Sequence, residues 1–352
     1  MSLFSLLKKT SGSAADVPLT HPTCLYLNWP PSDSVSACWL TVNEIVTNDI
    51  KWQTTVQWKE LGSDILIATN CPSWVAERPE AAVSPLSEED PYRNVAYLKS
   101  HLQKCIRRSN SYKAIKTAVH FYQLDSMEML RRLAIIAVED CLPINGFSTI
   151  VWMTAACSAG YNLSEEHLCW ILGYIHDLCQ CKYYEQFPPM TGDLKSLRLR
   201  TLPAPGRNLC YSILFRQAYG GMKGDKSMLF SAASLWVTRF RVQSEFIHLL
   251  DRPLIFISPP TDVLHRHEWL GSAIDFHCYP GIILNLVEKH DEFTPEDVKE
   301  AIWHCSSSLT NKANIAEDLK QRDKDSERHN HVWKVIKRDF LSLAKFMISK
   351  NS

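Results

Sequence analysis

Apolar and polar side chains alternate in four short segments near the start of the chain. From Trp52 to Trp58 every second residue is apolar or β-branched, a spacing that places these side chains on one face of a strand. The predicted strands are residues 23–29, 36–41, 50–58 and 64–70. Together they predict a small antiparallel β unit at residues 21–71, which is too small to stand alone and is expected to pack on the rest of the chain.

The pattern changes to helical spacing after residues 72–91, a proline-punctuated and acidic stretch that predicts a linker. Residues 92–352 are predicted to form a helical domain, and residues 1–20 a flexible tail. Within the helical domain, the densely charged segment 316–331 precedes a last amphipathic helix. Its apolar stripe consists of Val332, Ile336, Phe340, Leu343 and Met347. The predicted fold class is therefore mainly α, with a small N-terminal antiparallel β unit.

Capping residues indicate where several of these helices begin. Asp125 stands three residues before Glu128, which is the spacing of a capping box. Ser164 precedes two acidic residues, and Thr294 precedes Pro295, a residue favoured at the first helical position. The helices are predicted to begin directly after Asp125, Ser164 and Thr294.

Composition and charge narrow the class of protein. The 352 residues are 45% apolar and 22% charged, which is typical of a globular chain, and the formal net charge is zero. Nucleic-acid binding would therefore have to come from a local basic patch. The twelve cysteines lie mostly in apolar stretches, as buried free thiols of a reducing compartment do. The longest apolar stretch, residues 147–161, is shorter than the roughly 20 residues that span a bilayer. An intracellular protein, nuclear or cytoplasmic and without a membrane partner, is expected.

The stretch QAYGGMKGDKSML, residues 217–229, has the glycines and lysines of a phosphate-binding loop but not their register. A P-loop carries lysine directly after its last glycine, whereas Asp225 follows Gly224 here. Because the flanking segments have helical spacing, a turn between helices is predicted, in which the glycine pair 220–221 ends one helix and Asp225 caps the next. The candidates for contact with a phosphate backbone are Lys223 and Lys226.

A second group of basic residues lies in residues 101–116. Its members are Lys104, Arg107, Arg108, Lys113 and Lys116. On a helix, spacings of three and four residues place several of these side chains on one face, where they can neutralise phosphates. A solvated helix face without a ligand is the alternative. Arg198 and Arg200 are further candidates for the same surface.

The same region resembles a known family. The residues that carry the resemblance, in order, are Ser100, Lys104, Ile106, Arg107, Ser109, Asn110, Ala114, Asp125, Arg131, Arg132, Leu133, Ala137, Glu139 and Asp140. They are similar to the helical domain that follows the ATPase module in RarA/MgsA/WRNIP-type clamp-loader-related ATPases. The resemblance covers residues 100–141 and departs from the family at Arg108, where the family has glycine.

The resemblance implies a helical oligomerisation and scaffold fold that is used in DNA replication and repair. It does not imply ATP turnover, because the chain has no recognisable Walker A motif or acidic Walker B strand. Helical spacing alone predicts structural roles for the matched residues. Arg131 or Arg132 is expected to pair with Glu128 or Asp125, and the acidic pair 139–140 with a basic residue of a neighbouring helix.

Histidine, carboxylate and thiol side chains concentrate in residues 265–278. Imidazole and carboxylate groups are ligands of zinc and other transition metals. The candidate ligands are His265, His267, Asp275 and His277. Their spacing matches no standard zinc module, so the other interpretation is a helix start with its apolar residues in the core.

These patterns predict a non-catalytic accessory or scaffold protein of DNA replication or repair that needs no cofactor. It would bind partner proteins or its own copies, and nucleic acid through a local basic patch. One alternative is a metal-dependent hydrolase or nuclease that uses the cluster at residues 265–278. Another is a module that binds only proteins, with which the zero net charge and eleven tryptophans are compatible.

Overall fold

The N-terminal strands form one four-stranded sheet. The computed structural model describes residues 23–29, 35–41, 44, 50–74, 94–190, 192, 194–251, 254–262, 264, 268–270, 280–315 and 326–350, and for residues 195, 280, 326 and 345–350 it describes the backbone only. The strands are β1 (Cys24–Asn28), β2 (Ser36–Leu40), β3 (Trp52–Trp58) and β4 (Ser63–Thr69). Each lies where the alternating pattern predicts a strand.

The sheet is mixed rather than purely antiparallel. Its strand order is β2-β1-β4-β3. The two hairpins, β1 with β2 and β3 with β4, pair antiparallel as predicted, but β1 and β4 pair parallel, with Leu25 opposite Ile67. The two central strands, β1 and β4, carry the most buried apolar residues, as is typical of strands that are covered on both faces. Alternation has the same period in both strand directions, so it cannot reveal a parallel pair.

The remainder of the described chain is helical, which confirms the predicted fold class. The α-helices are α1 (Val95–Arg107), α2 (Ser111–Glu139), α3 (Phe147–Ser158), α4 (Glu165–Gln180), α5 (Ala204–Ala218), α6 (Lys223–Arg241), α7 (Pro280–Lys289), α8 (Pro295–Ile302) and α9 (Ser326–Lys350). A π-helical turn, Trp303–Ser307, extends α8, and a short parallel pair joins β5 (Tyr183–Tyr184) to β6 (Ala313–Asn314). Within the described residues, no helix combines the length and the apolar character that crossing a membrane requires.

The sheet packs on the helices and shares one hydrophobic core with them. Two tryptophans join the layers through their indole N–H groups: Trp39 donates to Ser212 Oγ (2.9 Å) on α5, and Trp152 on α3 donates to the Ala68 carbonyl (3.0 Å) of β4. Trp58, at the end of β3, is fully buried against the same helices. These sheet tryptophans therefore face the helical body, as expected for a β unit that packs on the rest of the chain.

The predicted helix starts are confirmed by the capping contacts. Asp125 interrupts α2 with a non-helical backbone, and its carboxylate accepts a hydrogen bond from the Glu128 N–H (2.9 Å). Thr294 and Asp297 form a reciprocal capping box at α8. At α4, Ser164 forms its capping box with His167. The kink at Asp125 divides α2 into two helical halves that differ in direction.

The glycine-rich loop is a turn between helices, as predicted, but α6 begins at Lys223 with Met222 as its N-cap, earlier than a cap at Asp225 would place it. Gly220 and Gly221 have φ values of +94° and +128°, a region that favours glycine, and they follow the end of α5. Asp225, in the first turn of α6, accepts a hydrogen bond from the Met222 N–H (3.4 Å). The context is helix–loop–helix, so these residues do not form a phosphate loop between a strand and a helix.

Stability is expected to fall on acidification because His101 is buried in the neutral form. Its Nε2 accepts a hydrogen bond from the Leu270 N–H (3.1 Å), and its Nδ1 lies 2.8 Å from Thr117 Oγ1. Burial lowers the pKa of His101 to about 3 and that of His167 to about 4. The unfolded chain binds protons that the folded chain excludes. The stabilisation is therefore complete above the unfolded pKa of about 6.5 and is lost progressively as the pH falls below it.

The free energy of unfolding, measured by denaturant titration from pH 7.5 to pH 5, is expected to decline with a slope approaching about 1.4 kcal/mol per pH unit for each of the two histidines. The exposed His331 provides a control, since His331→Gln is expected to leave the slope unchanged. A wild-type stability that is flat over this range would contradict the prediction.

Candidate functional site

Most of the basic side chains at residues 104–116 are engaged inside the protein rather than exposed to a ligand. Lys104, Arg107 and Lys116 are buried. Lys104 Nζ donates to Ser100 Oγ (2.8 Å), and Lys116 Nζ donates to Tyr112 Oη (2.7 Å) and pairs with Asp262. The expectation that these three side chains line a phosphate-binding surface is therefore wrong, because internal partners cover their charges.

Arg107 is the centre of a buried polar network. Its Nε donates to Asp140 Oδ1 (2.5 Å), and a terminal nitrogen donates to the Ser307 carbonyl (2.5 Å). The carboxylate of Asp140 also accepts from Gln103 Nε2 (2.7 Å). Glu139 lies 3.9 Å from Arg107 on the same network. The predicted pairing of the acidic residues 139–140 with a neighbouring helix is confirmed, and Arg107 ties the π-helical turn to α1 and α2.

The two remaining basic residues of this segment donate to backbone carbonyls. Lys113 Nζ donates to the Glu268 carbonyl, and Arg108 donates to the Ser306 carbonyl (2.8 Å). Arg108 is only half-buried, and burial lowers the pKa of its guanidinium. Arg108 and Lys113 are thus both half-buried, and Arg108 also lines a surface cleft.

Arg108 lines a cleft of about 360 Å³ between the end of α1, the 305–311 segment and α9. We call this the Arg108–Lys337 cleft. Its described lining residues are Arg108, Cys305, Ser306, Leu309, Asn311, Trp333, Lys337 and Leu341. None of them is acidic, while Arg108 and Lys337 are basic and Leu309 is 50% exposed. The cleft combines an apolar wall with two positive charges.

The basic character continues along the outer face of α9. Val332, Ile336 and Phe340 are buried, as the predicted stripe requires, so the residues between them face solvent. Lys334, Lys337 and Arg338 are exposed, and none of the three forms an ion pair with another described residue. We call these three residues with Arg108 the α9 basic face.

The other predicted basic residues lie elsewhere. Arg198 is exposed and Arg200 half-buried, next to a 3₁₀ turn before α5. Lys223 and Lys226 are exposed in the first turn of α6, after a loop that contacts α2. Arg216, on α5, donates to the carbonyls of Gly220 (2.9 Å) in that loop and of Arg131 (2.8 Å) on α2.

Acidic residues neutralise much of the positive charge on the part of α2 that lies next to this loop. Arg131 pairs with Glu128 (3.2 Å), as predicted, and Arg132 lies 3.6 Å from Glu139. Burial and the neighbouring Arg131 lower the pKa of Arg216 to about 10. The exposed lysines at residues 223 and 226 therefore adjoin a surface of alternating charge, which is less attractive to a polyanion than the α9 basic face.

The predicted metal-ligand candidates His265, His267, Asp275 and His277 lie outside the described residues. Among the residues that are described, no three histidine, cysteine or acidic side chains come together in a group that could hold a metal ion. The described cysteines are free thiols, and burial raises the pKa of several, including Cys105 and Cys157, to about 12. Those thiols are therefore protonated at neutral pH and unsuited to metal ligation or nucleophilic attack.

Sequence reasoning missed the α9 basic face. Its signal is present, because Lys334, Lys337 and Arg338 have helical spacing on the side opposite the apolar stripe of α9. Residues 101–116 carry a denser group of basic residues and therefore a stronger local signal. The approach of Arg108 to Lys337, more than 200 positions later in the chain, has no local sequence signal.

Comparison of the chain with protein-family models, with curated proteins and with solved structures found no match. The resemblance of residues 100–141 to the clamp-loader-related ATPases therefore depends on those residues alone.

Proposed function

We propose that this protein is a non-catalytic accessory or scaffold protein of DNA replication or repair that binds nucleic acid through the α9 basic face. Partner proteins, or further copies of the chain, would dock on the helical body. The connection with replication and repair comes from the resemblance of residues 100–141. The observation that carries nucleic-acid binding is that Lys334, Lys337 and Arg338 are exposed and form no ion pair with another described residue. Lys337 also borders a cleft without a described carboxylate.

Binding to nucleic acid does not require a high net charge. A formal net charge of zero gives no long-range attraction to a polyanion, so affinity depends on where charge is left uncompensated. Other basic residues on or beside α9 are paired with acids, as Lys289 is with Asp339 (2.6 Å) and Arg328 with Asp297 (2.7 Å). Phosphates that contact Lys334, Lys337 and Arg338 would release condensed counterions, which is the main source of nonspecific affinity for nucleic acid.

Replacing Lys334, Lys337 and Arg338 together by alanine is expected to weaken binding to a labelled oligonucleotide at least ten-fold at about 50 mM salt. Each lost phosphate contact lowers the slope of log affinity against log salt by about 0.7 for a single strand, so the slope is expected to fall by about 2. Fluorescence anisotropy across a salt series measures both quantities. The three side chains are exposed, so the fold is expected to tolerate the change.

A charge-matched control replaces three exposed lysines outside α9, namely Lys51, Lys59 and Lys182, by alanine. This control is expected to keep nearly the wild-type salt slope. An equal loss in both triple variants would contradict a local site. A lack of binding by the wild-type protein at low salt would contradict nucleic-acid binding altogether and leave a module that binds only proteins.

A further inference from the structure

We propose that the Arg108–Lys337 cleft holds one unstacked nucleotide of a single strand, so that the protein prefers single-stranded to duplex nucleic acid. This inference rests on the proposed function and specifies its ligand. It depends on three features of the cleft: its size, its apolar wall and the positions of its polar groups.

The size and the wall of the cleft suit a base that has left its stack. A volume of about 360 Å³ lies at the lower end of small-ligand pockets, which run from roughly 300 to 1,000 Å³. Leu309, Trp333 and Leu341 provide apolar surface for the face of a base. A duplex offers only base edges and backbone to a protein surface, and it cannot fill such a cleft without opening.

The polar groups lie around this apolar wall. Arg108, directly after α1, and Lys337, on α9, both line the cleft and supply positive charge for the phosphates that flank one nucleotide. Asn311 Nδ2 donates to the Arg108 carbonyl (2.9 Å), which fixes the orientation of the amide. The Asn311 carbonyl oxygen is then oriented to accept a hydrogen bond from an N–H group of a base, such as the N3–H of thymine.

The surroundings of Arg108 add to its attraction for an anion. Its guanidinium donates to the carbonyl of Ser306 (2.8 Å) at the wall of the cleft. Partial burial makes the positive charge costly, as the lowered pKa of Arg108 indicates. A phosphate beside it would offset that cost more than a phosphate beside a fully solvated lysine.

An acidic amphipathic peptide is the competing occupant, since it also combines negative charge with apolar side chains. The α9 basic face favours the nucleic acid, because Lys334 and Arg338 extend the positive charge beyond the cleft along about one helical turn. A nucleic-acid strand carries a negative charge at every nucleotide, so it can contact the basic side chains along α9 as well as those in the cleft. A peptide bound in the cleft would need negative charge only there.

The test compares the full chain and two leucine variants in binding a labelled oligothymidine and a duplex of the same length. Leu309→Glu adds a carboxylate to the cleft at a half-exposed position, so folding is expected to be preserved. Leu284→Glu is the matched control on α7, where Leu284 is 59% exposed. We expect the wild type and Leu284→Glu to bind the single strand at least ten-fold more tightly than the duplex. Leu309→Glu is expected to lose most of that preference.

The outcomes separate this inference from the proposed function. Equal affinity for single strand and duplex, unchanged in Leu309→Glu, would overturn the inference while leaving an electrostatic nucleic-acid surface. Absence of binding to either oligonucleotide at about 50 mM salt would overturn both. If a labelled peptide of alternating glutamate and leucine binds the wild type but not Leu309→Glu, and the single strand does not displace it, the cleft is a peptide site and the inference is wrong.

Discussion

Replacing Arg107 by methionine is expected to lower the free energy of unfolding by about 3–5 kcal/mol. The Arg107 and Asp140 side chains are 9% and 5% exposed, so neither charge is screened by water. Methionine fills a similar volume but leaves the Asp140 carboxylate buried without its guanidinium partner. It also removes the donor to the Ser307 carbonyl, which anchors the π-helical turn. Denaturant titration monitored by circular dichroism measures the loss.

The half-exposed pair Lys99–Glu128 provides the control for this prediction. Solvent screens that pair, so Lys99→Met is expected to cost no more than about 1 kcal/mol. A double variant, Arg107→Met with Asp140→Leu, is expected to recover part of the loss because it removes both buried charges. If Arg107→Met were as mild as Lys99→Met, the buried ion pair would not hold the elements together as described.

Replacing Trp152 by alanine is expected to cost about 3–5 kcal/mol. Trp152 is fully buried, and its indole donates a hydrogen bond to the Ala68 carbonyl of β4 (3.0 Å). Its ring meets those of Trp52 and Tyr161 edge-on, at centroid distances of 6.2 Å and 5.2 Å. The alanine variant therefore leaves a cavity at the contact between the sheet and α3, and it removes the hydrogen bond that joins them.

Trp74→Ala is the matched control, since Trp74 is 53% exposed. Its expected cost is within about 0.5 kcal/mol. Thermal and chemical unfolding should show a single transition for both variants, because the sheet and the helices share one core. Two separate transitions in Trp152→Ala would instead indicate that the sheet and the helical body unfold independently.

Local patterns predicted the elements of this fold well. The alternation between Trp52 and Trp58 identified β3. Asp125 and Thr294 were predicted to cap helices, and their side-chain oxygens accept the capping hydrogen bonds in the structure. Such signals depend on contacts between residues three or four apart, so they are contained in any short window of sequence. The turn at Gly220 was predictable for the same reason, since only its own backbone conformation was needed.

Predictions about surfaces were less successful. Lys104 and Lys116 have the spacing of a solvated basic stripe, yet both are buried with polar partners. One of those partners, Asp262, is 146 positions away from Lys116. Helical spacing shows which side chains share a face, but it does not show what packs against that face.

The sequence by itself determined the mainly α class, the four strands, the helix caps and the glycine turn, because these depend on local geometry and side-chain preference. Only the tertiary structure decided that β1 and β4 run parallel, that Arg107 is paired inside the protein, and that Arg108 meets Lys337 across a cleft. Burial and ion pairing depend on elements distant in sequence, since the free energy of a charge is set by what surrounds it in space.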